Sequence, residues 1–178
     1  MRQTLPMALL EQQEIGFADT APVIAEAVGV IDGTAEEVWA VLVDHERWPR
    51  WFTDVKHCEP TSDPGSGVGS TRRVTLAGGA TVDERFIAWD EPEVWAFTGT
   101  DAPPVFRSLV ERVTIVRLGP RLTEVTYRMA IGPAKGTGLF VKAARPMVQK
   151  RLKAALRNLN AEVTDRRPAP SSDDGADA

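Results

Sequence analysis

The alternation of apolar and polar residues divides the chain into strands and helices. Residues 23–31, VIAEAVGVI, are typical of a strand, and Thr34 is a candidate N-cap for a helix that follows directly. From Asp54 onward apolar residues recur at every second position, and turn sequences such as PGSG and AGGA interrupt them at short intervals. This pattern predicts an antiparallel meander of six further strands, near 54–61, 68–77, 80–90, 93–100, 107–118 and 121–132.

A long helical pattern follows the last of these strands. Its apolar positions recur at helical spacing at Val148, Leu152, Ala155, Leu156, Leu159 and Val163. Pro146 lies within the pattern and is expected to kink the helix or to mark a fresh start, because proline lacks the backbone N–H. The meander has one apolar face that needs a cover, and this helix is the predicted cover.

The two ends of the chain have weaker patterns. Residues 1–21 form an N-terminal extension that is predicted either to make a short amphipathic helix or to stay loose. The folded domain is predicted to span 22–165. Residues 166–178 contain too little apolar content to fold and are predicted to be a disordered tail.

Three stretches in this order resemble the START-like (SRPBCC) superfamily, and within it the polyketide cyclase/dehydrase type. They are GTAEEVWAVLVDHERWPRWFTDV at Gly33 to Val55, GVGSTRRVTLAGGATVDERFIAWDEPEVWAFT at Gly67 to Thr98, and LTEVTYRMAI at Leu122 to Ile131. The resemblance implies an α+β helix-grip fold, in which a curved seven-stranded antiparallel sheet wraps a long C-terminal helix. It also implies two short helices between the first two strands, and WPRW at 48–51 falls where the second would lie.

The resemblance further implies a cavity between sheet and helix that holds a hydrophobic small molecule, of lipid or polyketide type. Two alternatives stay open: an enzyme of the aromatic polyketide cyclase or dehydratase type, and a protein-interaction module. None of the three requires a cofactor. The oligomeric state is left open.

The amino-acid composition of the chain limits the kinds of partner and the compartment that can be expected for it. A formal net charge of −4 argues against nucleic acid, which needs a concentrated basic face. The chain has no run of about 20 apolar residues, so no integral membrane span is predicted. A single cysteine excludes an internal disulfide framework and favours the cytoplasm. The C-terminal helix carries a basic face, either solvated or a docking surface, formed by Lys142, Arg145, Lys150, Arg151, Lys153 and Arg157.

Two motifs that could carry other chemistry are set aside. GSGVGS at 65–70 imitates a phosphate loop, but strand alternation follows it rather than a helix, so a hairpin loop is predicted. His45, His57 and Cys58 are too few for a zinc site, since adjacent strand residues point to opposite faces, and no metal is expected. Cys58 is expected to be a small buried or edge thiol rather than a nucleophile.

The candidate site is a pocket wall on the meander. Glu84 shares a strand face with Val82 and Phe86, and Arg72 lies on the matching face of the preceding strand. Glu84 is therefore the candidate catalytic base, or with Arg72 it orients a polar group of the ligand. The alternatives are a structural ion pair and a strand phase shifted by one residue, which would turn Glu84 to the other face. The facing of Glu111 cannot be predicted, because doublets of apolar residues interrupt the alternation of its strand. The predicted ligand contacts are Trp51, Arg72, Val74, Glu84, Phe86, Trp95, Phe97, Tyr127, Met129, Phe140, Ala144, Met147 and Val148.

The predicted mouth of the pocket is IGPAKGTGLF at 131–140. Three glycines and a proline make this segment irregular, so it is expected to be mobile without ligand. The paired Trp48 and Trp51 are predicted to close one end of the grip, and core anchoring is favoured over direct ligand contact.

Overall fold

The computed structural model describes residues 7–166. Most of the predicted tail, from residue 167 on, and the first six residues of the extension lie outside the described part. The strands are β1 Ala8–Leu9, β2 Val23–Ile31, β3 Val55–Pro60, β4 Thr71–Leu76, β5 Thr81–Asp90, β6 Val94–Ala102, β7 Phe106–Gly119 and β8 Leu122–Pro133. The helices are α1 Phe17–Thr20, α2 Ala35–Leu42, α3 Trp48–Trp51 and α4 Gly138–Asp165.

The strands form one curled antiparallel sheet in the order β2-β8-β7-β6-β5-β4-β3, with the two-residue β1 attached to β6. The six predicted strands of the meander are all present, and α2 and α3 lie between β2 and β3. The sheet curls into a half-barrel around α4. The predicted helix-grip α+β fold is confirmed.

The short helices between β2 and β3 are built by local signals. Thr34 and Glu37 form a capping box at the start of α2, with Thr34 N donating to the Glu37 carboxylate at 2.8 Å. Pro49 lies in the first turn of α3, where its missing N–H costs nothing. The Trp48 ring nitrogen donates to Leu42 O at 2.8 Å, and its ring packs on Trp51 with centroids 4.6 Å apart. Both tryptophans are buried, as core anchors would be.

Helix α4 covers the concave side of the sheet. Its inward residues Leu152, Leu156 and Leu159 are buried in the main core. The Asn158 side chain donates to Trp51 O at 3.1 Å and ties α4 to α3. Pro146 lies within one continuous helix, so the expected fresh start does not occur.

The described part of the N-terminal extension, residues 7–21, is neither loose nor a single amphipathic helix. Leu10 N donates to Thr100 O on β6 at 3.0 Å, and Glu11 N donates to Arg107 O on β7 at 2.8 Å. The segment thus fills the gap where β6 and β7 separate. A Cβ at Gly99 would lie 2.8 Å from a terminal methyl carbon of Leu10, so the Leu10 side chain packs directly over this glycine.

Candidate functional site

A cavity of about 480 Å³ lies between the curled sheet and α4. Its wall is predominantly apolar, because the inward positions of β3 to β8 carry aliphatic and aromatic side chains. Aromatic and aliphatic residues that line it include Trp48, Phe52, Val55, Val74, Val82, Phe97, Leu109, Met129, Val148 and Leu152.

The cavity opens between α4 and the hairpin that joins β4 to β5. Residues 77, 78 and 80 of that hairpin belong to the lining. Arg151 of α4 and Asp54, just before β3, also line the cavity, and they form an ion pair at 3.0 Å. Both side chains are partly exposed, which indicates that this pair marks the boundary with solvent.

A buried ion pair stands at the inner end of the cavity. Arg72 on β4 and Glu84 on β5 are direct partners in the strand register, and Arg72 Nε donates to Glu84 Oε2 at 2.6 Å. Both side chains are almost completely buried. Glu84 lines the cavity, whereas Arg72 lies behind the wall.

Four aromatic rings hold the Arg72 guanidinium. Its central carbon lies 4.0 Å from the centroid of Trp48, 4.5 Å from Phe97, 4.8 Å from Trp95 and 5.3 Å from Phe86. Cation–π attraction offsets part of the cost of burying the charge. The guanidinium nitrogens Nη1 and Nη2 have no hydrogen-bond partner among the described residues. Arg72 therefore depends on Glu84 for its one close counter-ion in this structure.

A second buried carboxyl group, that of Glu111 on β7, also lines the cavity. The Tyr127 hydroxyl donates to Glu111 Oε2 across the β7–β8 pair. Burial, and to a smaller extent the charge of Glu84, raises the pKa of Glu111 to about 8. Burial also raises the pKa of Glu84, and the contact with Arg72 opposes that rise.

Arg72, Glu84 and Glu111 lie buried together, and only one of the two carboxyl groups is ionised. Arg72 stays positive, since a guanidinium does not lose its proton in proteins. A buried positive charge needs one negative partner, and a second buried anion would be uncompensated. Glu84 touches Arg72 and takes the charge, while Glu111 holds a proton at neutral pH. The inner end of the cavity thus presents an ionised carboxylate, a carboxylic acid and a tyrosine.

Comparison with known proteins identifies the family of this chain. Residues 22–164 match the family described as "Polyketide cyclase / dehydrase and lipid transport". The chain belongs to this family. Relatives 35% identical over 161 residues include "Uncharacterized protein Rv2574" of Mycobacterium tuberculosis and "Uncharacterized protein Mb2604" of Mycobacterium bovis. The match covers 88% of this chain and 93% of each relative.

Solved structures share the fold of this polyketide cyclase / dehydrase family member at low sequence identity. The ZhuI aromatase/cyclase of a Streptomyces species superposes with a TM-score of 0.72 and 18% identity, covering 84% of this chain and 98% of its own. A START superfamily protein of Mycobacterium smegmatis superposes with a TM-score of 0.66 and 17% identity, covering 81% and 99%. The predicted polyketide cyclase/dehydrase type is confirmed by the family match, and these solved structures share the fold.

The predicted ligand contacts of this family member fall into three groups. Val74, Glu84, Phe97, Tyr127, Met129 and Val148 line the cavity. Trp51, Arg72, Phe86 and Trp95 are fully buried behind the wall and support it. Phe140 and Met147 are 69% and 51% exposed, and Ala144 is half-buried; none of these three belongs to the lining.

The helix residues miss the cavity because α4 keeps one phase through Pro146. Val141, Val148 and Leu152 face inward along that phase. Phe140 and Met147 each precede an inward residue by one position, and one residue rotates a helix by about 100°. Their side chains therefore point toward solvent.

The lining of the cavity contains no residue of the predicted mouth segment, 131–140. The Thr137 hydroxyl donates to Val105 O at 2.9 Å and ties this segment to the loop before β7. The structure opens the cavity at the β4–β5 hairpin instead. Mobility of 131–140 stays a prediction.

Cys58 and His45 do not form a catalytic pair. Cys58 is buried, and burial raises the pKa of its thiol to about 11. Burial, together with the charge of Arg72, lowers the pKa of His45 to about 4. Neither group is poised to act as a thiolate or as a base of ordinary strength. The neighbouring 65–70 stretch is a loop between β3 and β4, with positive φ at Gly67 and Gly69.

Several lining residues were absent from the predicted contacts. Phe52, Leu109 and Leu152 have the spacing of ordinary core residues. Sequence spacing alone does not distinguish a side chain that lines a cavity from one that fills a core. The sequence does not predict which face of the sheet Glu111 points to, because the apolar doublet Leu109-Val110 interrupts the alternation. The structure turns Glu111 inward, and Val110 packs on the other face against Ala18 of α1.

Proposed function

We propose that this protein binds a hydrophobic small molecule, of lipid or polyketide type, in the cavity between the sheet and α4. The observation that carries the proposal is a cavity of about 480 Å³ whose apolar wall ends in a small set of buried polar groups. Ligand pockets commonly occupy about 300 to 1,000 Å³ and combine apolar walls with few, well-placed polar groups. Because a well-packed protein interior leaves few voids larger than a water molecule, a cavity of this size between sheet and helix favours a role in ligand binding.

The family supports the proposal, since its description names both polyketide chemistry and lipid transport. The cytoplasm is the compartment we propose, because the single cysteine is a free buried thiol. Within residues 7–166, the structure has no helix with the length and apolar content that crossing a membrane requires.

Filling the cavity tests the proposal. Val55 lines the cavity and Lys56, the next residue on β3, is exposed. Titration with the neutral fluorophore N-phenyl-1-naphthylamine should show binding to the wild-type protein. Val55→Trp should weaken that binding at least tenfold, because the indole occupies ligand volume, and Lys56→Trp should leave it unchanged.

Val148→Trp, near the mouth, repeats the test from the helix side. A folded Val55→Trp or Val148→Trp protein that binds the fluorophore as the wild type does would refute a ligand site in this cavity. Mass spectrometry of molecules that co-purify with the protein would identify the occupant.

A second candidate function is catalysis of the aromatic polyketide cyclase or dehydratase type. The observation that favours it is the pairing of Glu84 with a neutral Glu111 in one apolar wall, which places a base and an acid together. The contact with Arg72 makes Glu84 a weak base, so the geometry favours binding over proton abstraction. If Glu84 acts as a base, Glu84→Gln should lower turnover of a co-purified ligand by about a hundredfold while binding persists. Because the same change removes the counter-ion of Arg72, the result supports catalysis only if the unfolding free energy of the variant stays near the wild-type value.

A further inference from the structure

We propose that the buried end of the ligand is an uncharged hydroxyl group and that the site rejects carboxylates. This inference rests on the proposed ligand-binding function and names the chemical class that the cavity selects. It follows from the kind, number and bonding state of the polar groups at the inner end.

The inner end offers no positive charge to a ligand. Arg72 lies behind the wall, enclosed by four rings, and its Nε is bonded to Glu84. Arg151 is the cationic residue in the lining; it lies at the mouth, where it pairs with Asp54. A fatty-acid-like carboxylate that entered headgroup first would meet Glu84 and Glu111 without a counter-ion. Burying an uncompensated anion beside a carboxylate is strongly unfavourable.

The hydrogen-bond inventory of the same groups matches a hydroxyl. Glu84 Oε2 accepts from Arg72, and Glu111 Oε2 accepts from Tyr127. The second oxygen of each carboxyl receives no hydrogen bond from the residues the structure describes. The free oxygen of ionised Glu84 can accept one bond, and the free oxygen of neutral Glu111 can donate one.

A ligand group that fills both places must donate once and accept once. A phenolic or aliphatic hydroxyl does so, whereas a ketone only accepts and a hydrocarbon does neither. A hydroxyl can therefore bond to the free oxygen of Glu84 as a donor and to that of Glu111 as an acceptor. Leaving either buried oxygen without a partner would cost the free energy of a lost hydrogen bond.

Three probes of one shape test this selection: 9-phenanthrol, phenanthrene and phenanthrene-9-carboxylate. Their binding is measured by intrinsic fluorescence or calorimetry at pH 6.5, where the phenol is neutral and the carboxylate is charged. We expect 9-phenanthrol to bind about fivefold to tenfold more tightly than phenanthrene. We expect the carboxylate to bind at least about a hundredfold more weakly than the phenol.

Glu111→Leu removes the donor. It should abolish the preference for 9-phenanthrol over phenanthrene. Glu59→Leu, at an exposed position on β3, is the matched control and should keep the preference. If Glu111→Leu fails to fold, the three-probe comparison with the wild-type protein still decides.

The outcomes separate the two proposals. Equal binding of the three probes, or tightest binding of the carboxylate, would overturn the hydroxyl selection and leave the ligand site intact. Failure of all three probes and of N-phenyl-1-naphthylamine to bind would overturn the ligand site itself.

Discussion

The protonation of Glu111 should make the folded protein less stable as the pH rises. Its folded-state pKa is raised from 4.5 to about 8, chiefly by burial. Between these two values the folded state holds a proton that the unfolded chain has released. Stability contributed by this group is therefore complete below about pH 4.5, falls as the pH rises through the interval, and levels off above about pH 8.

The size of the effect follows from the shift. One pKa unit corresponds to about 1.4 kcal/mol, so a group that moves between these two values loses roughly 3 to 4 kcal/mol of unfolding free energy between pH 5 and pH 8. Glu111→Gln keeps the shape and can still accept the Tyr127 hydrogen bond, but it does not titrate. The difference in unfolding free energy between wild type and Glu111→Gln should change by that amount, in favour of the variant, across the interval.

Urea unfolding at pH 5, 6, 7 and 8 measures this difference by linear extrapolation. Tyr127→Phe provides a second check, because the tyrosine hydrogen bond lowers the pKa of Glu111 and its loss should push the decline to higher pH. A wild-type-minus-Glu111→Gln difference that stays constant from pH 5 to pH 8 would show that Glu111 is not a buried neutral acid.

Two further predictions concern burial alone. The Cys58 thiol should react with Ellman's reagent at pH 8 at least about a hundredfold more slowly in the folded protein than in denaturant, because it is buried and its pKa is about 11; equal rates would contradict that placement. Leu152→Ala should lower the unfolding free energy by about 2 to 5 kcal/mol in urea, and Leu139→Ala, at a highly exposed position, by less than about 0.5 kcal/mol; similar losses would mean that α4 is not the cover of the core.

The strand part of the candidate site could be predicted because alternation in a half-buried sheet is rigid. Once Val82 and Phe86 are assigned to the inward face, Glu84 follows, and the neighbouring strand brings Arg72 opposite to it. The same rule places Tyr127 and Met129 of β8 on the cavity wall. Two-residue periodicity carries this information without any knowledge of the ligand.

The facing of Glu111 escaped that rule because both faces of β7 are covered near it. Val110 points outward, yet it is buried against Ala18 of α1 and Ala130 of β8. At Val110 the outward face of β7 is therefore apolar as well, so the alternation of the sequence is interrupted next to Glu111. Predicting that Val110 is buried requires the position of the N-terminal segment. The apolar pattern of that segment is too short to predict that it packs on the outside of the sheet.

The mouth could not be predicted from flexibility signals alone. The glycines of 131–140 indicate irregular backbone, but the Thr137 bond to Val105 fixes that segment beside the β7 loop. The actual opening depends on which part of the sheet α4 leaves uncovered. The part left uncovered is set by the direction of α4 relative to the strands, and the spacing of residues in the sequence does not predict that direction.

The arrangement around Arg72 changes which residue should be tested for chemistry. Sequence spacing drew attention to Glu84, but the structure gives it a permanent partner 2.6 Å away inside an aromatic enclosure. Removing its charge would leave the buried guanidinium without a counter-ion, so a loss of function in Glu84→Gln could arise from structure alone. Replacing Glu111 leaves no buried charge without a counter-ion, because Glu111 is neutral at pH 7 and bonded to a neutral hydroxyl. A change at Glu111 that alters ligand preference while the unfolding free energy at pH 5 stays near the wild-type value therefore reports on the ligand site itself.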